Sequence, residues 1–109
     1  MDSKPPRILI VDDQRGVREE LAYALDFEGY RTAEAADGPA ALEALADGDV
    51  GLVLLDIKMP GMDGLEVLAR IREQDAELPV VMISGHGDID TAVLAIKGGA
   101  QDYLAKPFD

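Results

Sequence analysis

Asp56 ends a continuous apolar run, Gly51-Leu52-Val53-Leu54-Leu55, and opens a loop rich in proline and glycine, Ile57-Lys58-Met59-Pro60-Gly61-Met62-Asp63-Gly64. A carboxylate that terminates a buried strand lies at the rim of a sheet, where open α/β folds bind their ligands. The pattern recurs near the start of the chain, where Arg7-Ile8-Leu9-Ile10-Val11 runs straight into Asp12-Asp13. If these two strands are neighbours, three carboxylates converge at one edge. Clustered carboxylates repel one another, and a hard divalent cation relieves the repulsion. Mg²⁺ prefers oxygen ligands, needs only one or two carboxylates, and keeps its other positions for water and phosphate oxygens. Ser84, at the end of a fourth apolar run, offers a hydroxyl to an oxyanion, and Lys106, just past the fifth, offers a point positive charge. Carboxylates, a cation, a hydroxyl and a lysine suit phosphoryl transfer, in which an aspartate can itself be the acceptor.

The elements that must position these groups follow from alternating apolar runs and amphipathic stretches. Strands are expected at Arg7–Val11, Arg31–Ala35, Leu52–Asp56, Pro79–Ile83 and Gln101–Leu104, and helices at Arg15–Glu28, Gly38–Ala46, Gly64–Glu73 and Ile89–Lys97. In the first helix Val17, Leu21, Ala24, Leu25 and Glu28 recur at three-to-four spacing, and Gly29 stops the helix. In the second, Asp37 is placed to cap, Pro39 suits the first turn, and Ala41, Leu42 and Leu45 form the buried face. The fourth presents Ile89, Val93 and Ile96 on one side and ends at Gly98-Gly99.

Strict β/α alternation implies an α/β fold, with parallel strands joined by right-handed crossovers and helices on both faces of a doubly wound sheet. Leu52–Leu55 and Val80–Ile83 are apolar at every position, as expected of strands covered on both sides. Residues 1–6 form a tail and residues 7–109 a single domain. No helical segment follows the fifth strand, so one face near the last strands is expected to be underpacked. A longer parent chain or a partner would cover it.

Bulk properties narrow the possibilities. The chain has 109 residues, enough for one core. Its 48% hydrophobic and 29% charged residues exclude a disordered segment. No apolar stretch approaches the roughly 20 residues of a membrane span, and no secretory signal opens the chain, so a cytoplasmic location is the default. The absence of cysteine excludes disulfides and thiolate metal sites. Ten Lys and Arg against 22 Asp and Glu give a net charge of −12, which argues against direct binding of nucleic acid by this domain.

Val11-Asp12-Asp13, Leu55-Asp56 with the loop to Gly64, Ile83-Ser84-Gly85-His86, and Tyr103-Leu104-Ala105-Lys106-Pro107-Phe108 together resemble the ordered motifs of a response-regulator receiver domain. The resemblance runs from Arg7 to Phe108. It implies a flavodoxin-like sheet of five parallel strands in the order 2-1-3-4-5, which spacing alone does not give. It also implies that Asp56 accepts a phosphoryl group from a histidine kinase. Asp13 and Asp56 would ligate Mg²⁺ together with the Lys58 backbone carbonyl, and Asp12 would orient water on that ion. Ser84 and Lys106 would hold the phosphoryl oxygens, Tyr103 would turn inward as Ser84 moves, and Lys106-Pro107 would be a cis peptide. Phosphorylation would bias two pre-existing states and alter the surface of the fourth helix and fifth strand, which a downstream output domain or a second copy of the chain would read. The runs Ser84–Val93, Lys97–Ala100 and Pro107–Asp109 further resemble the nitrogen-regulatory class of receivers, often fused to an AAA+ ATPase and a DNA-binding domain.

Other readings exist for the same residues. Asp12 and Asp13 would serve equally as caps on the first helix. Ser84 alone is a turn hydroxyl, Lys106 alone a surface lysine, and Tyr103 alone core packing. His86, the one histidine, is expected near the site entrance rather than on the cation. Lys58 and Met59 are expected to expose their side chains. The principal rival function is a Mg²⁺-dependent phosphohydrolase with an aspartyl-phosphate intermediate. Such an enzyme needs an acid/base group commonly two residues beyond its nucleophile, and here that position is Lys58. A flavin-phosphate module is disfavoured because Asp12-Asp13-Gln14-Arg15-Gly16 would repel phosphate. A receiver that works without phosphorylation would need an altered acidic site, and this one is complete.

Overall fold

The computed structural model describes residues 5–84 and 89–105, of which Ile89 and Asp90 are described by backbone only. The elements run β1 (Arg7–Val11), α1 (Arg15–Phe27), β2 (Thr32–Ala35), α2 (Gly38–Ala46), β3 (Val50–Asp56), α3 (Gly64–Gln74), β4 (Val80–Ser84), α4 (Ile89–Lys97) and β5 (Asp102–Ala105). All strand pairs are parallel, and the sheet order is β2-β1-β3-β4-β5. That is the order the resemblance implied. Between β1 and β3 the strand order reverses, and this is the switch point at which such sheets bind ligands.

Element boundaries differ from the expected ones by one or two residues, with one useful consequence. β4 begins after Pro79, which has no N–H for the ladder, although its carbonyl accepts from Val53 N–H at 3.0 Å. The strand therefore extends to Ser84, which pairs with Ala105. Asp37 caps α2 by accepting from Ala40 N–H at 2.8 Å, and Asp63 caps α3 by accepting from Glu66 N–H at 2.9 Å.

The core lies on one face of the sheet. There Leu9, Val11, Val53, Leu55, Val80 and Met82 pack against Ala41, Val67, Leu68, Ile71 and Ala95. On the other face α1 covers β1 and β2, while Leu52, Leu54 and Val81 are only half-buried and Leu104 is exposed. The central strands are thus not covered equally on both sides, and the underpacked face expected near the last strands is present.

Three expectations about side chains are overturned. Val93 and Ile96 on α4 face solvent, as does Leu94, and Ala95 is the buried residue among that helix's described side chains, which do not include Ile89. Small residues, Ala92, Ala95 and then Ala100, let this segment sit close to its neighbours, which leaves the larger side chains outside. Met59 is buried in the core cluster, while Lys58 is exposed as expected. In α1, Ala24 is exposed and Ala22 takes the buried place. The far end of α4 is tied to α3 by Arg72, whose Nε and Nη2 donate to the Gly99 carbonyl at 3.0 and 2.9 Å.

Gly64 sets how closely α3 approaches β3. Its N–H donates to the Ile57 carbonyl at 2.7 Å, and a Cβ there would overlap the Asp56 carbonyl oxygen and lie 2.7 Å from Ile57 Cα. Both obstacles are backbone, so neither can swing aside. Gly16 in α1, by contrast, has open space around the Cβ position. Alanine raises helix propensity by up to about 1 kcal/mol at either site, whereas overpacking costs about 1–3 kcal/mol. Urea unfolding should therefore show Gly64→Ala destabilised and Gly16→Ala unchanged or slightly stabilised. Equal effects at the two positions would contradict the close approach of α3.

Candidate functional site at the carboxyl edge of the sheet

Each strand of the central trio ends in a group able to do chemistry. Asp12 follows β1, Asp56 ends β3 and Ser84 ends β4. The three are 0%, 4% and 2% exposed, an unusual degree of burial for the two carboxylates. Asp13, next in the chain, is exposed. The β3–β4 register pairs Asp56 with Ile83, and Ile57 N–H donates to the Ile83 carbonyl at 3.0 Å, so Ser84 lies one step beyond Asp56 on the neighbouring strand.

The carboxylates meet. One oxygen from each of Asp12, Asp13 and Asp56 can be chosen so that all lie within 4.8 Å of one another. This convergence depended on β1 and β3 being neighbours, which they are. Three hard oxygen donors at such spacing, with one of them open to solvent, match the donor set of a small divalent cation that retains water. The chemistry of the site therefore fits Mg²⁺, with Asp12, Asp13 and Asp56 as the residues able to hold it.

Asp12 also does the structural work that the capping reading assigned to it. Its Oδ1 accepts from Gln14 N–H at 2.9 Å, whereas Gln14, the cap residue of α1, makes no side-chain cap. The two readings are compatible, because a carboxylate has several acceptor sites. Its backbone is fixed as well: Asp12 N–H donates to the Ala35 carbonyl at 3.1 Å, and Arg18 Nη1 donates to the Asp12 carbonyl at 2.8 Å.

Arg18 was not singled out by its sequence position. Its side chain is 15% exposed and its Nε also contacts Glu34 Oε1 at 3.2 Å. The available signal was its place beside Val17 and one turn before Leu21 and Ala22, on the side of α1 that faces the sheet.

Tyr103 is half-buried and packs against the core from β5, in register with Met82. Lys58 occupies the loop between Asp56 and α3. Lys106, its bond to Pro107, and His86 lie outside the described residues, although Ala105, directly before Lys106, pairs with Ser84. Among the described residues no helix is long and apolar enough to cross a membrane.

Comparison with known proteins agrees with this geometry. Residues 8–109 match the response regulator receiver domain. The chain is 44% identical over 102 residues to the C4-dicarboxylate transport transcriptional regulatory protein DctD of Pseudomonas aeruginosa, covering 94% of this chain and 22% of that protein. It is 40% identical to the transcriptional regulatory protein FixJ of Bradyrhizobium diazoefficiens, covering 94% of this chain and 50% of the relative. The chain thus spans half or less of the length of these curated relatives. The solved receiver domain of NtrX from Brucella abortus superposes with a TM-score of 0.89 at 50% identity, over 94% of this chain and 87% of that one. The likeness to DctD and NtrX supports the resemblance to the nitrogen-regulatory class. On the family match and these relatives together, the chain belongs to the response regulator receiver domain family.

Proposed function

We propose that this domain is a phosphorylation-dependent switch in which Asp56 accepts a phosphoryl group from a histidine kinase. The observation that carries the reading is the convergence of Asp12, Asp13 and Asp56 oxygens within 4.8 Å beside Ser84. An Asp56 carboxylate oxygen attacks phosphorus; the new O–P bond forms as the bond from phosphorus to the donor breaks, and the donor nitrogen or oxygen leaves with that electron pair. Asp13, Asp56 and the Lys58 carbonyl would hold Mg²⁺, which would supply the positive charge that lets an anionic phosphoryl group approach a carboxylate. Asp12 completes the negative field from the buried side.

Ser84 and Lys106 hold the phosphoryl oxygens. A phosphoryl group adds up to about two negative charges, enough to draw both groups toward Asp56. Tyr103, half-buried on β5, would turn inward as Ser84 moves. The altered surface comprises α4 and β5, where Val93, Leu94, Ile96 and Leu104 are exposed. An output domain in the same polypeptide, in keeping with the transcriptional regulators among its relatives, or a second copy of the domain reads that surface in the cytoplasm. Water later hydrolyses the acyl phosphate and resets the switch, so the domain is an acceptor rather than a turnover enzyme.

The test uses the domain, MgCl₂ and acetyl phosphate, followed by intact mass measurement. One phosphoryl adduct is expected in the wild type and none in Asp56→Asn. An adduct that survives in Asp56→Asn would overturn the assignment of the acceptor. Sustained turnover of phosphate esters would favour a phosphohydrolase instead.

A further inference from the structure

We propose that Arg18 is a positioning residue that holds the end of β1 in the form that binds the cation. This inference rests on the cation site proposed above. One guanidinium joins three elements: it extends from α1, donates from Nη1 to the Asp12 carbonyl at 2.8 Å, and contacts Glu34 Oε1 on β2 at 3.2 Å through Nε. Glu34 is in register with Ile10 on β1, so the clamp spans the strand pair just before the acidic residues. At 15% exposure the Arg18 side chain is more sheltered than Arg7, Arg15, Arg31 and Arg70, the other arginines that contact carboxylates among the described residues.

The Asp12 carbonyl belongs to the peptide that leads into Asp13. Holding that carbonyl fixes the path of the backbone at Asp13, whose exposed carboxylate has the most freedom to lose on ligating an ion. Pre-paying that loss raises affinity. The Arg18 charge acts the other way, because a guanidinium beside the site repels a cation. The two roles therefore predict opposite signs. Removing a residue that orients metal ligands lowers affinity by roughly 10- to 100-fold, whereas removing a mere neighbouring charge raises it.

Calorimetric titration of the full chain with MgCl₂ distinguishes them, with thermal unfolding in metal-free buffer as the control for folding. Wild type should bind Mg²⁺ and Asp13→Asn should bind it far more weakly. Arg18→Met should bind roughly tenfold more weakly than wild type. Arg18→Lys should recover part of the loss, since an ammonium keeps one donor for the Asp12 carbonyl but not the fork to Glu34. Glu34→Gln, whose amide oxygen can still accept, should fall between wild type and Arg18→Met. Equal or tighter binding by Arg18→Met overturns the inference and leaves the cation site intact. Absence of Mg²⁺ binding by wild type overturns both. Should Arg18→Met fail to fold, wild-type affinity in both Arg18→Lys and Glu34→Gln overturns the inference.

Discussion

Mutual repulsion among carboxylates at one edge of the sheet is the constraint on which the rest of this structure depends. Two unit charges within 4.8 Å at an effective dielectric of about 20 repel by roughly 3 kcal/mol. Taken alone, that is a large part of the 5–15 kcal/mol by which small domains are stable. Asp13 is exposed, so solvent screens its share. A fold that accepts such a penalty must hold the groups rigidly, and parallel strand ends do so. β1 and β3 deliver their terminal residues to one place, and backbone hydrogen bonds to β2 and β4 fix the residues on either side. A cation held between them would replace the repulsion with attraction, and a phosphoryl group on Asp56 would add negative charge that draws cationic and hydroxyl groups toward it. Binding at the edge is thereby linked to the conformation of whatever lies beside it.

The asymmetry of the remaining structure follows from that arrangement. α2 and α3 pack firmly on the core face, and Gly64 lets α3 press against the Asp56 peptide itself. α4 is attached differently, through small residues and through Arg72 at its far end, with its larger apolar side chains exposed. An element held by few contacts is the one whose position a local charge change can shift. The rigid part of the molecule therefore carries Asp56, the proposed acceptor, and the loosely held part carries the surface proposed to be read by a partner.

Much of this was legible in the sequence because it depends on period and on strand ends. Alternating apolar runs and amphipathic stretches gave nine elements in the correct order, and polar residues directly after apolar runs marked the binding edge. Strand order came only with the family resemblance. Other features depend on contacts that one-dimensional patterns do not encode. The apolar stripe of α4 was visible, yet its periodicity cannot say whether that stripe or the interleaved alanines meets the sheet. Met59 sits in a loop sequence that looks exposed and becomes buried only when the core assembles around it. Gly64 resembled an ordinary turn glycine, because the Asp56 carbonyl it must clear is brought near by the fold. Arg18 resembled a solvated helix charge, because its partner Glu34 is 16 residues away.

The central claim, that repulsion among Asp12, Asp13 and Asp56 favours the binding of a cation, is tested most directly by thermal unfolding of wild type and Asp13→Asn with and without MgCl₂. Removing one charge should raise the melting temperature in metal-free buffer, while MgCl₂ should stabilise wild type and leave the variant nearly unmoved. An Asp13→Asn protein that melts lower than wild type without metal, or that gains as much from MgCl₂, would contradict the account.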